Sequence, residues 1–199
     1  MVINGAGMAY QAVITHIHRD TIECAITKHT PELNEPRRQI YLAISLLKHS
    51  AKFDILVEKG TELGVSGFIP IITERCERKS VNLQRLRGIA VSATKQSLRC
   101  RIPEIREPMR VDEAYSAVSV EATVMAHEKI SPDNSFAKFL TENKNLERIL
   151  ILVGPEGGFT DAERDEAERK GACIVSLGER RLRAETAAIL AIGMAAQLI

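Results

Sequence analysis

The sequence predicts an α/β fold, a mostly parallel sheet covered by helices on both faces. Three observations carry that expectation. Short runs rich in Ile, Val and Leu, such as Arg148 to Val153, recur along the chain and suit strands buried on both sides. Between them lie segments whose apolar residues fall at helical spacing. Glycines and capping residues stand at the joints, and strict alternation of strand and helix brings successive strands side by side in parallel.

Residues 1 to 33 depart from this pattern. Tyr10 to His18 and Thr21 to Thr27 read as two strands turned at Arg19 and Asp20, with Ile22, Cys24 and Ile26 alternating against Glu23, Ala25 and Thr27. A lone hairpin is marginal in water, so this one is expected to join a larger sheet or lean on the main body. His16 and His18 share a strand face at a spacing that metals use, but no third ligand is near and they read as surface histidines. Pro31, Asn34 and Pro36 mark a linker. Gln39 to Leu47 is then a strand, and Lys52 to Leu63 a helix with Phe53, Leu56, Val57, Gly60 and Leu63 on one face, closed by Gly64. Gly67 to Ile72 is the next strand. Leu83, Leu86, Ile89, Ala90 and Ala93 predict a helix over Gln84 to Ser97, whose exposed side carries Arg85, Lys95 and Gln96 and whose end delivers Arg99 and Arg101. A strand at Ala122 to Ala126 and a helix from Ser135 to Thr141 continue the alternation.

The last quarter is the most informative. Gly154-Pro155-Glu156-Gly157-Gly158 stops the strand Arg148 to Val153 in a sharp turn. Thr160 and Glu163 form a capping box that starts a helix, and Gly171 sits where a helix ends. Ala172 to Leu177 is another strand, followed by the basic loop Gly178 to Arg183. Ala184 to Ile199 is apolar around nearly its whole circumference and needs more than one surface to cover it, which points to a second chain. Two glycine loops at the C-terminal ends of neighbouring parallel strands are where open α/β sheets hold ligands. Neither a phosphate-loop pattern nor a dinucleotide fingerprint is present.

Composition narrows the classes. The chain has 199 residues, is 45% hydrophobic and 27% charged, and carries a net charge of only +1, so it is not a generally basic nucleic-acid binder. Local charge differs: between Arg75 and Arg110 there are ten basic residues against three acidic ones, a strip that suits a phosphate backbone. Cys24, Cys76, Cys100 and Cys173 lie far apart without metal-ligand spacing, and neither a signal pattern nor a long apolar run occurs. A cytoplasmic protein without metal or membrane partner is expected.

Four blocks of this sequence resemble, in order, the RsmE family of 16S ribosomal RNA uridine N3-methyltransferases, members of the SPOUT or α/β-knot superfamily. They are Glu58-Lys59-Gly60-Thr61-Glu62-Leu63-Gly64-Val65, Gln96 to Ile105, GPEGGFTDAE from Gly154, and LGERRLRAETA from Leu177. Leu98 stands where the family usually has glycine. The resemblance implies a trefoil-knotted SPOUT methyltransferase domain over residues 34–199 and, over residues 1–33, a partial PUA-like β-barrel that helps hold RNA, with its first half missing. It implies S-adenosylmethionine as cofactor, contacted by Gly154, Glu156, Gly157, Gly158, Leu177, Gly178 and Leu182, and no metal. Arg183, Glu185 and Arg99 are the implied catalytic residues, Arg183 offsetting charge on the uracil and Glu185 accepting its proton or merely occupying the first turn of the last helix. Gln96, Arg99, Arg101 and Arg85 are the implied RNA contacts. Small-subunit ribosomal RNA within the 30S subunit is the implied substrate, and a homodimer the implied assembly. Another SPOUT enzyme acting on ribose 2′-oxygens or transfer RNA, or an RNA-binding dimer without catalysis, are the competing readings.

Overall fold

The computed structural model describes residues 1–198; Ile199, the expected end of the last helix, lies outside the described residues. Strands β1 (Val2–Ile3), β2 (Met8–Ile17) and β3 (Ile22–Pro31) form an antiparallel sheet in that order. The expected hairpin is thus present and joins a third strand. Its two partners run further toward the main body than the alternation suggested, because ladder pairing continues to Met8 and Pro31.

A second sheet contains seven strands, and every pairing in it is parallel. In chain order they are β4 (Gln39–Ser45), β5 (Gly67–Ile72), β6 (Glu104–Ile105), β7 (Met109–Arg110), β8 (Ala122–Ala126), β9 (Arg148–Val153) and β10 (Cys173–Val175). The helices are α1 (Ser50–Glu62), α2 (Leu83–Gln96), α3 (Val111–Ala117), α4 (Phe136–Glu142), α5 (Asp161–Arg169) and α6 (Ala184–Gln197). Spatial order across the sheet is β10-β8-β9-β4-β5, with β6 and β7 both pairing with β5. The central strands are β4 and β9, matched Ile40 to Ile149, Leu42 to Ile151 and Ile44 to Val153.

That register divides the core by the two-residue period of a strand. Ile40, Leu42, Ile44, Ile149, Ile151 and Val153 pack in one cluster with Phe53 and Leu56 of α1, Leu86 and Ala90 of α2, Phe136 of α4 and Ala188 and Ile192 of α6. The alternate residues Ala43, Leu150 and Leu152 join Ala114 of α3 and Ala167 of α5 in a second cluster. Helices therefore cover both faces, as the sequence predicts. The short pieces β1, β6, β7 and α3 went unpredicted because two-residue strands carry no period and α3 buries only Ala114.

Helix α6 is covered by its own chain more fully than its composition suggests. Ala188, Ala191, Ile192 and Ala195 are buried, and Leu190, at 39% exposure, is the large apolar residue of α6 left most open. Buried Arg38 fixes its end, donating to the carbonyls of Ala195 at 3.1 Å, Leu146 at 2.9 Å and Asn143 at 3.3 Å. The guanidinium thereby joins the carbonyl-rich C-termini of α6 and α4, where a cation is favoured. Burial, and then the neighbouring Arg37, lower its pKa.

Arg99 requires a correction. The expectation of a catalytic or RNA-contacting side chain fails because Arg99 is only 2% exposed. It donates to the carbonyls of Thr61 at 2.7 Å and Val65 at 3.0 Å and pairs with Glu35. Glu35 in turn accepts the backbone N–H groups of Cys100 and Arg101. This network ties α1, the end of α2 and the linker into one joint. Leu98 there has φ 57°, a left-handed backbone that explains why glycine is usual at this place in the family it resembles.

Candidate active site

The C-terminal ends of β4, β5, β8, β9 and β10 present their loops on one side of the sheet, the place where parallel strands leave backbone free for a ligand. After β9 the chain reverses within five residues of Gly154. A Cβ on Gly154 would lie 3.0 Å from the Phe159 nitrogen and 3.2 Å from the Gly158 carbonyl carbon, so no side chain fits without opening the loop. Gly158 has φ 69° and donates to the Pro155 carbonyl at 2.8 Å.

Neighbouring strand ends hold this loop in place. Arg75, beyond β5, donates to the Gly157 carbonyl at 2.7 Å and the Phe159 carbonyl at 3.4 Å. Glu156 accepts the Lys48 N–H at 3.2 Å, beyond β4. The expected capping box is present, with Thr160 accepting the Glu163 N–H at 3.2 Å and Glu163 accepting the Thr160 N–H at 2.9 Å. The other oxygen of Glu163 accepts the Glu74 N–H at 2.9 Å, so one carboxylate starts α5 and anchors it to the end of β5.

A second wall is the loop from Leu177 to Arg183. Gly178 has φ 119° and donates to the Ser176 hydroxyl at 3.2 Å. The third wall, Ala126 to Lys129 at the end of β8, was not anticipated. The His127 N–H donates to the Val175 carbonyl at 3.0 Å, and its Nδ1 accepts the Lys129 N–H at 3.2 Å. Burial first, and then Arg164, push the His127 pKa down, which favours the neutral ring, and the Lys129 N–H at Nδ1 leaves the neutral ring's proton to Nε2.

The three loops bound a cleft of about 420 Å³. Gly154, Glu156, Gly157, Gly158, Leu177, Gly178 and Leu182 all line it, although the sequence places them in two stretches separated by a helix and a strand. Val153 and Ala187 add apolar wall and Arg183 stands at the edge. Open space faces the Cβ positions of Gly158 and Gly178, and that of Gly157 meets only the methylenes of Arg75 at 3.4 Å.

Glu185 does not line the cleft. Its carboxylate turns to α1, with one oxygen 3.3 Å from Lys52 Nζ and the other buried without a hydrogen-bond partner among the described residues. A direct role in proton transfer therefore loses its geometry, whereas the first-turn position at the start of α6 stands. Gln96, Arg85 and Arg101 also lie away from the cleft, Arg85 paired with Asp54 and Arg101 with Glu32. Sequence reasoning placed Arg75 in the basic strip but not at the cleft, and missed His127, Glu128 and Lys129. The signal that would have found the last three is the C-terminal end of the strand Ala122 to Ala126, a neighbour of β9 in a parallel sheet.

Comparison with known proteins gives the same cleft a setting. The model of a family described as an RNA methyltransferase domain matches residues 34–196. The chain is 32% identical over 194 residues to ribosomal RNA small subunit methyltransferase E of Rickettsia conorii, covering 96% of this chain and 77% of that protein. It is 34% identical to the protein of that name from Synechocystis, covering 96% and 63%. Among solved structures, a ribosomal RNA small subunit methyltransferase E from Neisseria gonorrhoeae bound to S-adenosyl methionine superposes with a TM-score of 0.81 at 29% identity, covering 96% of this chain and 78% of that one.

Proposed function

The chain belongs to the ribosomal RNA small subunit methyltransferase E family, and we infer from that membership that it methylates small-subunit (16S) ribosomal RNA, using S-adenosylmethionine, at N3 of a uridine. The observation that carries the reading is the convergence of two separated glycine loops on one cleft of about 420 Å³. Apolar Val153, Leu177, Leu182 and Ala187 suit the cofactor's adenine ring and the methylenes of its methionine arm, and the glycines let backbone polar groups approach its ribose and amino-acid ends. Bound there, the cofactor supplies an activated methyl group on a sulfonium.

What remains for the protein is to align the base and offset charge on the uracil ring once N3 gives up its proton to solvent. Arg183 is proposed for the second task, being exposed at the cleft edge and without an ion pair among the described residues. Glu185 is proposed to position it, since its pairing with Lys52 fixes the first turn of α6, whose N-terminal neighbour is Arg183. Residues 34–199 are proposed as a SPOUT methyltransferase domain and residues 1–33 as a partial PUA-like barrel, a reading supported by the antiparallel sheet β1-β2-β3. The route of the chain from β10 at the sheet edge back to α6 against α1 and β4 supports the trefoil threading that the family resemblance implies. A homodimer across α1 and α6 is likewise proposed, on the exposed Ile55 and Leu190. The 30S subunit is the proposed form of the substrate.

Titration calorimetry with S-adenosylmethionine tests the reading. The wild type is expected to bind and Gly157→Val to lose binding while melting like the wild type, because Gly157 has an ordinary backbone and its new side chain meets only Arg75 and the cleft. Absence of binding to the wild type, or wild-type affinity in Gly157→Val, refutes this use of the cleft.

A further inference from the structure

The basic strip from Arg75 to Arg110 is largely engaged within the fold. Arg99 is buried, Arg85 pairs with Asp54 at 2.9 Å, Arg110 with Asp112 at 2.9 Å, and Arg101 with Glu32. Arg106 pairs with Glu104 and donates to the Ala117 carbonyl. Each of these guanidinium groups would have to give up a carboxylate or carbonyl of its own chain to meet a phosphate.

The cleft mouth presents the opposite balance. Arg75, Lys129, Arg180, Arg181 and Arg183 line it, against only two carboxylates, Glu128 and Glu156. Glu156 is turned to the Lys48 N–H. Lys129, Arg180 and Arg183 are exposed and carry no ion pair or side-chain hydrogen bond among the described residues. Arg181 meets Glu128 at 3.3 Å, and both side chains are open to solvent, at 76% and 49%. On a chain whose net charge is +1, this concentrates positive potential at one opening.

A base can react in the cleft only if its nucleotide leaves any stack and enters, which sets the flanking phosphates at the mouth. We propose that Lys129, Arg180 and Arg181 form the phosphate-binding rim for the RNA backbone beside the target nucleotide, and that Glu128 occupies Arg181 in the free protein until a phosphate displaces it. The inference rests on the RNA methyltransferase reading and names which side chains meet the RNA. An exposed ion pair such as Glu128 with Arg181 contributes little to stability, so exchange is easy, and a phosphate offers the guanidinium two parallel hydrogen bonds.

The test is equilibrium binding of a uridine-containing single-stranded RNA of about ten nucleotides to the cofactor-free protein, by fluorescence anisotropy across a range of salt concentrations. Lys129→Ala with Arg180→Ala is expected to weaken binding roughly tenfold and to flatten the dependence of log affinity on log salt by about 0.7 for each phosphate no longer neutralised. Glu128→Gln is expected to tighten binding and leave Arg181 to the RNA from the start. Arg85→Ala with Arg101→Ala is expected to change neither affinity nor slope. An unaltered slope in the rim variant, a flattened slope in the Arg85 and Arg101 variant, or weaker binding in Glu128→Gln overturns the proposal. So does a rim variant that loses S-adenosylmethionine affinity with its RNA slope intact, since the cations would then serve the cofactor's carboxylate. A wild type that binds RNA through the rim but no S-adenosylmethionine refutes the methyltransferase reading and leaves the rim standing.

Discussion

The two sheets use similar residues to opposite ends. In the parallel sheet Ile40, Leu42, Ile149 and Leu150 are fully buried, because helices lie on both faces. In the antiparallel sheet Ile14, Ile17, Ile22 and Ile26 are 56 to 73% exposed. Their register, with Ala12 opposite Ile26, Ile14 opposite Cys24 and Ile17 opposite Ile22, gathers them on one side of the hairpin as an apolar face without a covering layer. Alternation of apolar and polar residues thus states which side of a strand wants burial, and only the presence of a second layer decides whether burial occurs. The sheet covered on both faces is the one whose strand ends bound the cleft.

A joint of charges links the two regions. Gly5 and Gly7 exchange backbone hydrogen bonds with Ile102 and Cys100, and Glu35 receives Arg99 and the amides that follow it. The largest expected effect is therefore at Glu35. Glu35→Ala leaves the guanidinium of Arg99 buried without a counter-charge and is expected to cost about 3–5 kcal/mol by urea denaturation. A loss below about 1 kcal/mol would mean that the carbonyls of Thr61 and Val65 suffice, and that the regions are joined by backbone pairing alone.

Next in size is the contrast between the sheets themselves. Leu152→Ala, in the two-layered sheet, is expected to cost about 2–5 kcal/mol through reduced burial and the cavity left behind. Ile26→Ala, at 62% exposure, is expected to stay within about 0.5 kcal/mol of the wild type. Comparable losses at the two positions in urea melts would show that the hairpin face is covered in solution, and the comparison would fail.

The sequence resolved the two-layered region well because long buried strands and capped helices carry period and punctuation. Gly67–Ile72, Ala122–Ala126 and Arg148–Val153 appear with the bounds read from the residue pattern alone. The seven positions expected at the cofactor came from the family resemblance, and all seven line the cleft; the residue pattern alone showed only that two glycine loops stand at strand ends. Tertiary facts were not: that Arg99 turns inward to Glu35, that Glu185 turns to Lys52, and that β8 adds His127 and Lys129 to the cleft all depend on which strands become neighbours. A charged residue in sequence looks the same whether its partner is solvent, phosphate or a carboxylate folded against it. That is why the Arg75 to Arg110 strip read as an RNA surface while Lys129 drew no notice and the basic loop Gly178 to Arg183 was not read as an RNA contact.

A gain rather than a loss is expected at the joint between the regions, at Leu98. Its φ of 57° is a conformation that a side chain with a Cβ adopts at a cost, and its side chain is 54% exposed, so little packing offsets that cost. The Leu98 carbonyl also accepts the Asn34 side-chain amide at 2.9 Å, which holds the turn against relaxation. Leu98→Gly relieves the strain in the folded state but gives the unfolded chain more freedom to lose, and these terms oppose each other. Since a left-handed residue costs roughly 1–2 kcal/mol and the glycine entropy term roughly 0.4–1 kcal/mol, the net is a gain of between about 0 and about 1.6 kcal/mol. A small rise in the urea midpoint with an unchanged slope is the result expected. A fall would show that the exposed leucine is covered in solution by a contact that a single chain does not supply.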